Sequence, residues 1–492
     1  MINVKAKSKK GKIVINDFSK TNLSNHSVKT ENDCIQIYNF NNKGGVLKSG
    51  LGMQNLTVYR LKDANSEKYA LNYQTLNLEC FNKVMYFKQY FSNTNTTTHR
   101  LLVHGSDGKM YVFQMYSELN ALNWMYNLQF TEIPVVLAYK KDGLDSILIS
   151  ANDKLVVWST GRTPYELTNV PTITSMCVYN DVLYCTIASE SDKIWYTTSL
   201  DPASVGTESD STKYISLSDE CGSCKKIITF KENVYIFRDY GISRLNTYAK
   251  KEEPTYNQIY LSDSKIYPNT VCECGEYMVF MTRNGIYKFN GASVSRINAL
   301  PNVLINNIND YAVSANLQDK YYVALRLDFN DYNIIGCENN ENMKNNALIK
   351  FDLNDNTFEI MRGVDIKDML ALKAEFEEKI IVTFNSTNKD RIAEITSDGK
   401  YFDDVLPRVY CSNYFIQDDM EPITIRKIVC DASSNIELKL ITDSQQYTFT
   451  TTQDGITEFQ TIIPCKKFKT EISSIAQSPY VNLIQLEYEK RK

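Results

Sequence analysis

The sequence predicts an all-β fold: a β-propeller of about seven blades, with six to eight open, an N-terminal strap and a C-terminal β-sandwich. Three observations carry this. A three-strand phrase recurs along the chain, the composition favours strand, and the apolar pattern changes after Leu406.

Each copy of the phrase is a short apolar strand, a turn, a second apolar strand, a polar turn and a third strand. One copy runs Ile227–Phe230, Val234–Phe237 and Gly241–Leu245. The next runs Val271–Glu273, Met278–Met281 and Gly285–Phe289, with Gly241 and Gly285 44 residues apart. All-strand self-similarity at about 40–50 residues marks one four-stranded blade per repeat. Third strands are expected at Lys109–Val112, Lys154–Val157, Lys193–Tyr196, Gly241, Gly285, Leu348–Phe351 and Arg391–Glu394. One step is longer and holds the Asn/Asp/Glu-rich segment Asp328–Asn346, which reads as a surface loop. Asn-Asp, Asp-Gly and Asn-Gly pairs bound the apolar runs as hairpin turns require.

Aromatics make up 12% of the 492 residues, with 33 Tyr and 21 Phe, a bias toward half-buried pleated surfaces. From Leu406 the alternation becomes cleaner. Ile423, Ile425, Ile436, Leu438, Leu440, Tyr447, Phe449, Ile484, Leu486 and Tyr488 fall on one face of successive strands, as in a small sandwich. The expected units are therefore 1–65 (strap and glycine-rich lead-in), 66–405 (propeller) and 406–492 (sandwich). The lead-in Gly44–Gly52 holds four glycines in nine residues, implying a tight, conformationally special connection.

The formal net charge of −4 and the dispersed basic residues argue against a sequence-specific nucleic-acid binder. No run of about 18 apolar residues is present, and the first residues lack a signal-peptide core, so a cytosolic origin without a membrane span is expected. Twelve scattered cysteines then read as small buried hydrophobes.

Several local patterns invite chemistry. Cys221-Gly-Ser-Cys224 and Cys272-Glu-Cys274 open neighbouring repeats, and four thiolates could hold a structural zinc. Cys-x-Cys on a strand chelates poorly, so ordinary thiols are the preferred reading. Asp352–Asn356 offers oxygens to a cation but lies where a hairpin turn is needed. Thr396–Tyr401 is explained by Asp-Gly turn chemistry. Of the three histidines, His26 falls in the strap and His99 in a Thr/Asn-rich turn, leaving little for a triad with His104. No phosphate loop or nucleophile elbow occurs. A non-enzymatic protein without cofactor or metal is expected.

Tyr321-Tyr322 and Trp124-Met125-Tyr126 could stack on a sugar, but adjacent aromatics on a strand place one ring on each face, and buried inter-blade packing is the commoner fate. Glu118–Phe130 departs from strand patterning and reads as a short helix or an inter-blade excursion.

The segment Gly44-Gly-Val-Leu-Lys-Ser-Gly-Leu-Gly52 after a polar strap resembles the lead-in of phage tail-hub proteins, the packaged-DNA stabilisation or tail-nozzle propellers of short-tailed phages. Ser191–Pro202 resembles their strand-then-Asp loop, Ile227–Leu245 resembles their blade unit, and the C-terminal strand module falls where that family has one. The resemblance implies a structural virion protein, assembled in the host cytoplasm into a ring, typically a hexamer, below portal and adaptor. With other tail proteins it would help retain packaged double-stranded DNA and pass it at ejection without specific binding. A carbohydrate- or receptor-binding propeller on a tail or cell surface is the alternative. Residues 1–40 are weakly apolar, and ordering costs about 1–2 kcal/mol per residue, so neighbouring subunits are expected to order the strap.

Overall fold

A computed structural model describes residues 9–19, 34–60, 67–70, 81–116, 123–168, 170–197, 202, 205, 214–247, 254–297, 305, 307–328, 343–375, 377–385, 391–416 and 421–490. His26, Leu119, Leu122 and most of the Asp328–Asn346 insertion lie outside them.

Among the described residues seven antiparallel blades follow in chain order. Blade 1 is Phe81–Phe91, Thr96–Gly105, Lys109–Met115 and Asn123–Gln129. Blade 2 is Val135–Lys141, Leu144–Ala151, Lys154–Ser159 and Tyr165–Thr168; blade 3 is Ile173–Tyr179, Val182–Ile187, Glu190–Tyr196 and Tyr214–Ser216. Blade 4 is Cys224–Phe230, Asn233–Arg238, Gly241–Asn246 and Thr255–Leu261; blade 5 is Cys272–Cys274, Tyr277–Thr282, Gly285–Phe289 and Val294–Ile297. Blade 6 is Val313–Leu317, Lys320–Leu325, Ala347–Asp352 and Phe358–Arg362. Blade 7 takes Asp365–Lys373, Glu378–Asn385 and Ile392–Thr396, and its fourth strand, Gly52–Asn55, comes from the other end of the chain. Every one of the seven expected third strands is the third strand of a blade.

The pleat explains the packing. Alternate residues point to opposite faces of a strand, so each blade feeds two inter-blade cores. In blade 6, Tyr321, Val323 and Leu325 pack toward blade 5, while Tyr322 and Ala324 pack toward blade 7. Each large side chain so buried stabilises the ring by about 1.5–3 kcal/mol. The turns follow their sequence signals: Asn152-Asp153 and Asn180-Asp181 have positive φ at both positions, the backbone of a twisted two-residue hairpin. Lys231-Glu232 adopts the same backbone without the residues that favour it.

The sandwich joins two six-stranded sheets. One contains Ile423–Ala432, Gly455–Cys465 and Tyr480–Lys490; the other contains Arg408–Ser412, Ile436–Thr442, Gln446–Thr450 and Lys467–Ser474. Ile425, Leu438, Leu440, Ile472, Ile484 and Leu486 form its core.

The strap departs from expectation. Lys9–Ile15 pairs antiparallel with Tyr480–Lys490, and Cys34–Tyr38 pairs with Arg408–Ser412. Ile15, Ile37, Phe40 and Leu47 enter the sandwich core. The described part of the strap thus finds its ordering partners within its own chain, because both sheets offer it an edge to extend. Among the described residues of 1–65, the strands Lys9–Ile15 to Leu47–Ser49 join the sandwich sheets, Gly52–Asn55 joins blade 7, and Thr57–Arg60 pairs with Glu67–Ala70.

The glycine-rich lead-in is the crossing point. Gly44 and Gly45 both sit at φ +79°, in the left-handed region. At Gly52 a Cβ would meet the Lys400 backbone oxygen at 2.6 Å, so this position has no room for a side chain. Two further expectations change. His99 lies in the strand Thr96–Gly105, buried beside Tyr86 and Tyr116, because Asn95 takes the left-handed turn position four residues earlier. The described part of Glu118–Phe130 is the outer strand of blade 1; left-handed Tyr126 and Asn127 break its alternation.

Candidate functional site

First strands of neighbouring blades lie side by side around the propeller axis. In blades 1, 3, 4 and 7 this strand carries one extra residue near its start: Asn82, Thr174, Lys225 and Lys367. Such a bulge re-aims the following side chain and interrupts strict alternation. The residues after it are Lys83, Ser175, Lys226 and Asp368, and each reaches a neighbouring blade. Asp368 Oδ2 accepts from the Val84 N–H at 2.9 Å, joining blade 7 to blade 1. Ser175 Oγ accepts from the Ile227 N–H at 3.0 Å, joining blade 3 to blade 4. Lys226 Nζ donates to the Val271 carbonyl at 2.7 Å, joining blade 4 to the start of blade 5. Lys83 Nζ stands 3.7 Å from Asp368.

Burial dominates the electrostatics of this belt. It pushes the Asp368 carboxyl above its usual value, against the pull of Lys83 and the Val84 N–H. It holds Lys226 down to about 8. A cavity of about 920 Å³ opens along the axis, lined by Lys83, Lys140, Lys225 and Lys226, by Thr174 and Asn269, and by apolar inner-strand residues.

The four candidate cysteines do not converge. Cys221 is buried beside Asp219, whose carboxylate accepts its N–H at 3.0 Å and pairs with Arg238. Cys224 begins the inner strand of blade 4, its thiol pushed up to about 12 by burial. Cys272 and Cys274 share one side of the blade 5 inner strand. The Cys274 thiol holds the Cys272 thiol below its usual value against burial, helped by the Lys226 and Lys373 ammonium groups. Among the described residues no group of three or more His, Cys, Asp or Glu is placed to hold a metal.

The Asp352–Asn356 segment is a hairpin turn whose carboxylates face a protein cation. Lys43 Nζ lies 3.2 Å from Asp352 and 2.5 Å from Asp355. Burial would raise the Asp355 carboxyl, but Lys43 and Thr357 draw it down to about 2. Asp398 accepts from Thr396 Oγ1 and the Lys400 N–H, which makes Thr396–Tyr401 a local turn.

Sequence reasoning missed the clasp between propeller and sandwich. Asn39, at φ +58°, donates its N–H to the Ile360 carbonyl at 2.7 Å and accepts from the Arg362 N–H at 2.9 Å. Its side-chain amide donates to the Pro407 carbonyl at 2.6 Å. Arg408, fully buried, donates to the carbonyls of Ala476 at 2.6 Å and Gly399 at 3.1 Å. At blade 7, Glu394 accepts from Lys379 at 2.7 Å, from Gln54 and from Thr57 Oγ1 at 3.2 Å.

Tyr321 and Tyr322 are both buried, one in each inter-blade core, while Trp124 and Tyr126 are exposed on blade 1. No helix among the described residues is long and apolar enough to cross a membrane.

No protein-family model matches the chain, and no curated protein does. Among solved structures it is similar to BBS1N, determined in complex with ARL6DN, at 11% identity and a TM-score of 0.44 over 70% of this chain and 97% of that one. It is also similar to Kluyveromyces lactis Hsv2, at 11% identity and a TM-score of 0.33 over 65% and 91% of the two chains. An Hsv2 variant with loop 6CD replaced by a Gly-Ser linker gives 10% identity and a TM-score of 0.35 over 66% and 97%. The chain's own sheet topology, seven antiparallel blades closed by a strand from the other end, makes it a β-propeller.

Proposed function

We propose that the chain is a non-enzymatic structural component of a phage virion tail, a hub or nozzle subunit in a ring below portal and adaptor. Such a ring helps retain packaged DNA and conducts it at ejection. The observation that carries this reading is the role of the glycine-rich lead-in. The phrase bearing the resemblance to tail-hub propellers is the one through which the chain passes from sandwich to closing strand, in the order that family implies. A subunit whose two ends are clamped into one sandwich is suited to bearing load between neighbours, and the sandwich surface is the side expected to meet them.

The test is negative-stain imaging of the purified protein with portal and adaptor from the same genome. Rings capped by density of propeller size support the reading. Failure of the folded protein to join either component contradicts it. A second reading, glycan or receptor binding, draws on Trp124 and Tyr126, which stand exposed on the outer strand of blade 1. Binding to host polysaccharide that disappears in Trp124→Ala would favour it.

A further inference from the structure

We infer that the axial cavity is a binding site for a compact, multiply charged anion of the phosphate class. The chain as a whole is acidic, with 58 Asp and Glu against 54 Lys and Arg. Yet among the described residues the cavity lining holds four lysines, Lys83, Lys140, Lys225 and Lys226, and neither Asp nor Glu. Three inner strands supply them: Lys83 from blade 1, Lys140 from blade 2, and Lys225 with Lys226 from blade 4.

These ammonium groups keep donors to spare. Each carries three N–H bonds. Lys226 gives one to the Val271 carbonyl. Lys83 and Lys225 stand 3.7 Å from Asp368 and 3.8 Å from Asp239, loose pairs at the edge of contact. Lys140 is exposed to the cavity. Lys226 is half-buried in the cavity wall with spare N–H bonds, and an anion entering the cavity would take up free donors from several lysines together. Burial lowers the Lys226 value, with Cys272 and Asp368 working against that and Lys83 with it. The Asn269 amide and the Thr174 hydroxyl add neutral groups on the same wall. A volume of about 920 Å³ suits a small molecule and excludes a duplex. The site is independent of ring assembly.

Isothermal titration of the full chain at low ionic strength tests this, with inorganic pyrophosphate, a nucleoside triphosphate and a short single-stranded oligonucleotide as separate probes. One-to-one binding of pyrophosphate or the triphosphate is expected, weakened about tenfold or more in Lys226→Met and measurably in Lys140→Gln, with melting retained. The two small probes distinguish a free phosphate from a nucleotide, and either result supports the site. No heat from either, unchanged affinity in both variants, or binding of the oligonucleotide alone overturns it.

Discussion

Asp368 of the last blade accepts a hydrogen bond from the backbone N–H of Val84 in the first, at 2.9 Å. A single carboxyl therefore spans the seam of the ring on its axial side, while the strand Gly52–Asn55 closes it on the outside. The inner contact joins neighbours in space that lie 284 residues apart in sequence.

Burial raises the Asp368 value in the folded state, so the folded protein holds its proton at pH values where the unfolded chain has released it. Stability from this group is present below the unfolded value of about 3.9 and is lost as pH rises through the folded value. Asp368→Asn keeps an acceptor for Val84 without that penalty. The melting temperature of the variant relative to the parent should rise as pH increases from about 4 through the folded value and then level off. A difference that does not change across this range would contradict the assignment.

Lys226 runs in the opposite sense. Its value is lowered by burial to about 8, with Cys272 and Asp368 favouring the charge and Lys83 opposing it. Between about pH 8 and 10.4 the unfolded chain binds the extra proton, so stability from this residue rises with pH in that window. Lys226→Met should melt higher than the parent at pH 7, with the gap narrowing toward pH 10. Thermal melts across that range measure it.

Glu394 ties the closing strand to blade 7 through Lys379, Gln54 and Thr57. Lys379 is nearly buried and also meets Glu377 at 2.8 Å. Glu394→Ala should cost about 1–3 kcal/mol, since Gln54 and Thr57 lose their acceptor at the seam while Lys379 keeps Glu377. Glu394→Gln, which keeps an acceptor, should cost clearly less. Denaturation midpoints of the two variants separate these outcomes.

Glu232 occupies the second left-handed position of a hairpin, at φ +57°. Glu232→Gly should stabilise the protein by about 1 kcal/mol by removing the Cβ strain. Loss of stability on denaturant titration would show that the side chain contributes more than the strain costs.

Much of the propeller was legible because its signals are local. Third strands such as Gly241–Asn246 and Gly285–Phe289 carry their glycine start and apolar alternation within a few residues. The sandwich core from Ile423 to Tyr488 was legible for the same reason. Gly52–Asn55 was not: four residues set no period, and their partner strand lies some 340 positions away, as the Gln54–Glu394 bond records. The bulges were hidden because one inserted residue reverses alternation, so Lys225-Lys226 reads as a polar pair beside a turn. The destination of the strap was hidden because Lys9–Ile15 is polar on one face, a pattern equally suited to its own sandwich or a neighbour's.

That last choice is the centre of the account: one chain closes its own fold with both ends before it meets any neighbour. Val14 and Gln485 are register partners on adjacent strands. In a Val14→Cys, Gln485→Cys double variant, mild oxidation should give a cross-linked species of single-chain mass on non-reducing electrophoresis. A ladder of dimers and larger species, absent from the single variants, would mean that the strap belongs to the next subunit and would contradict the account.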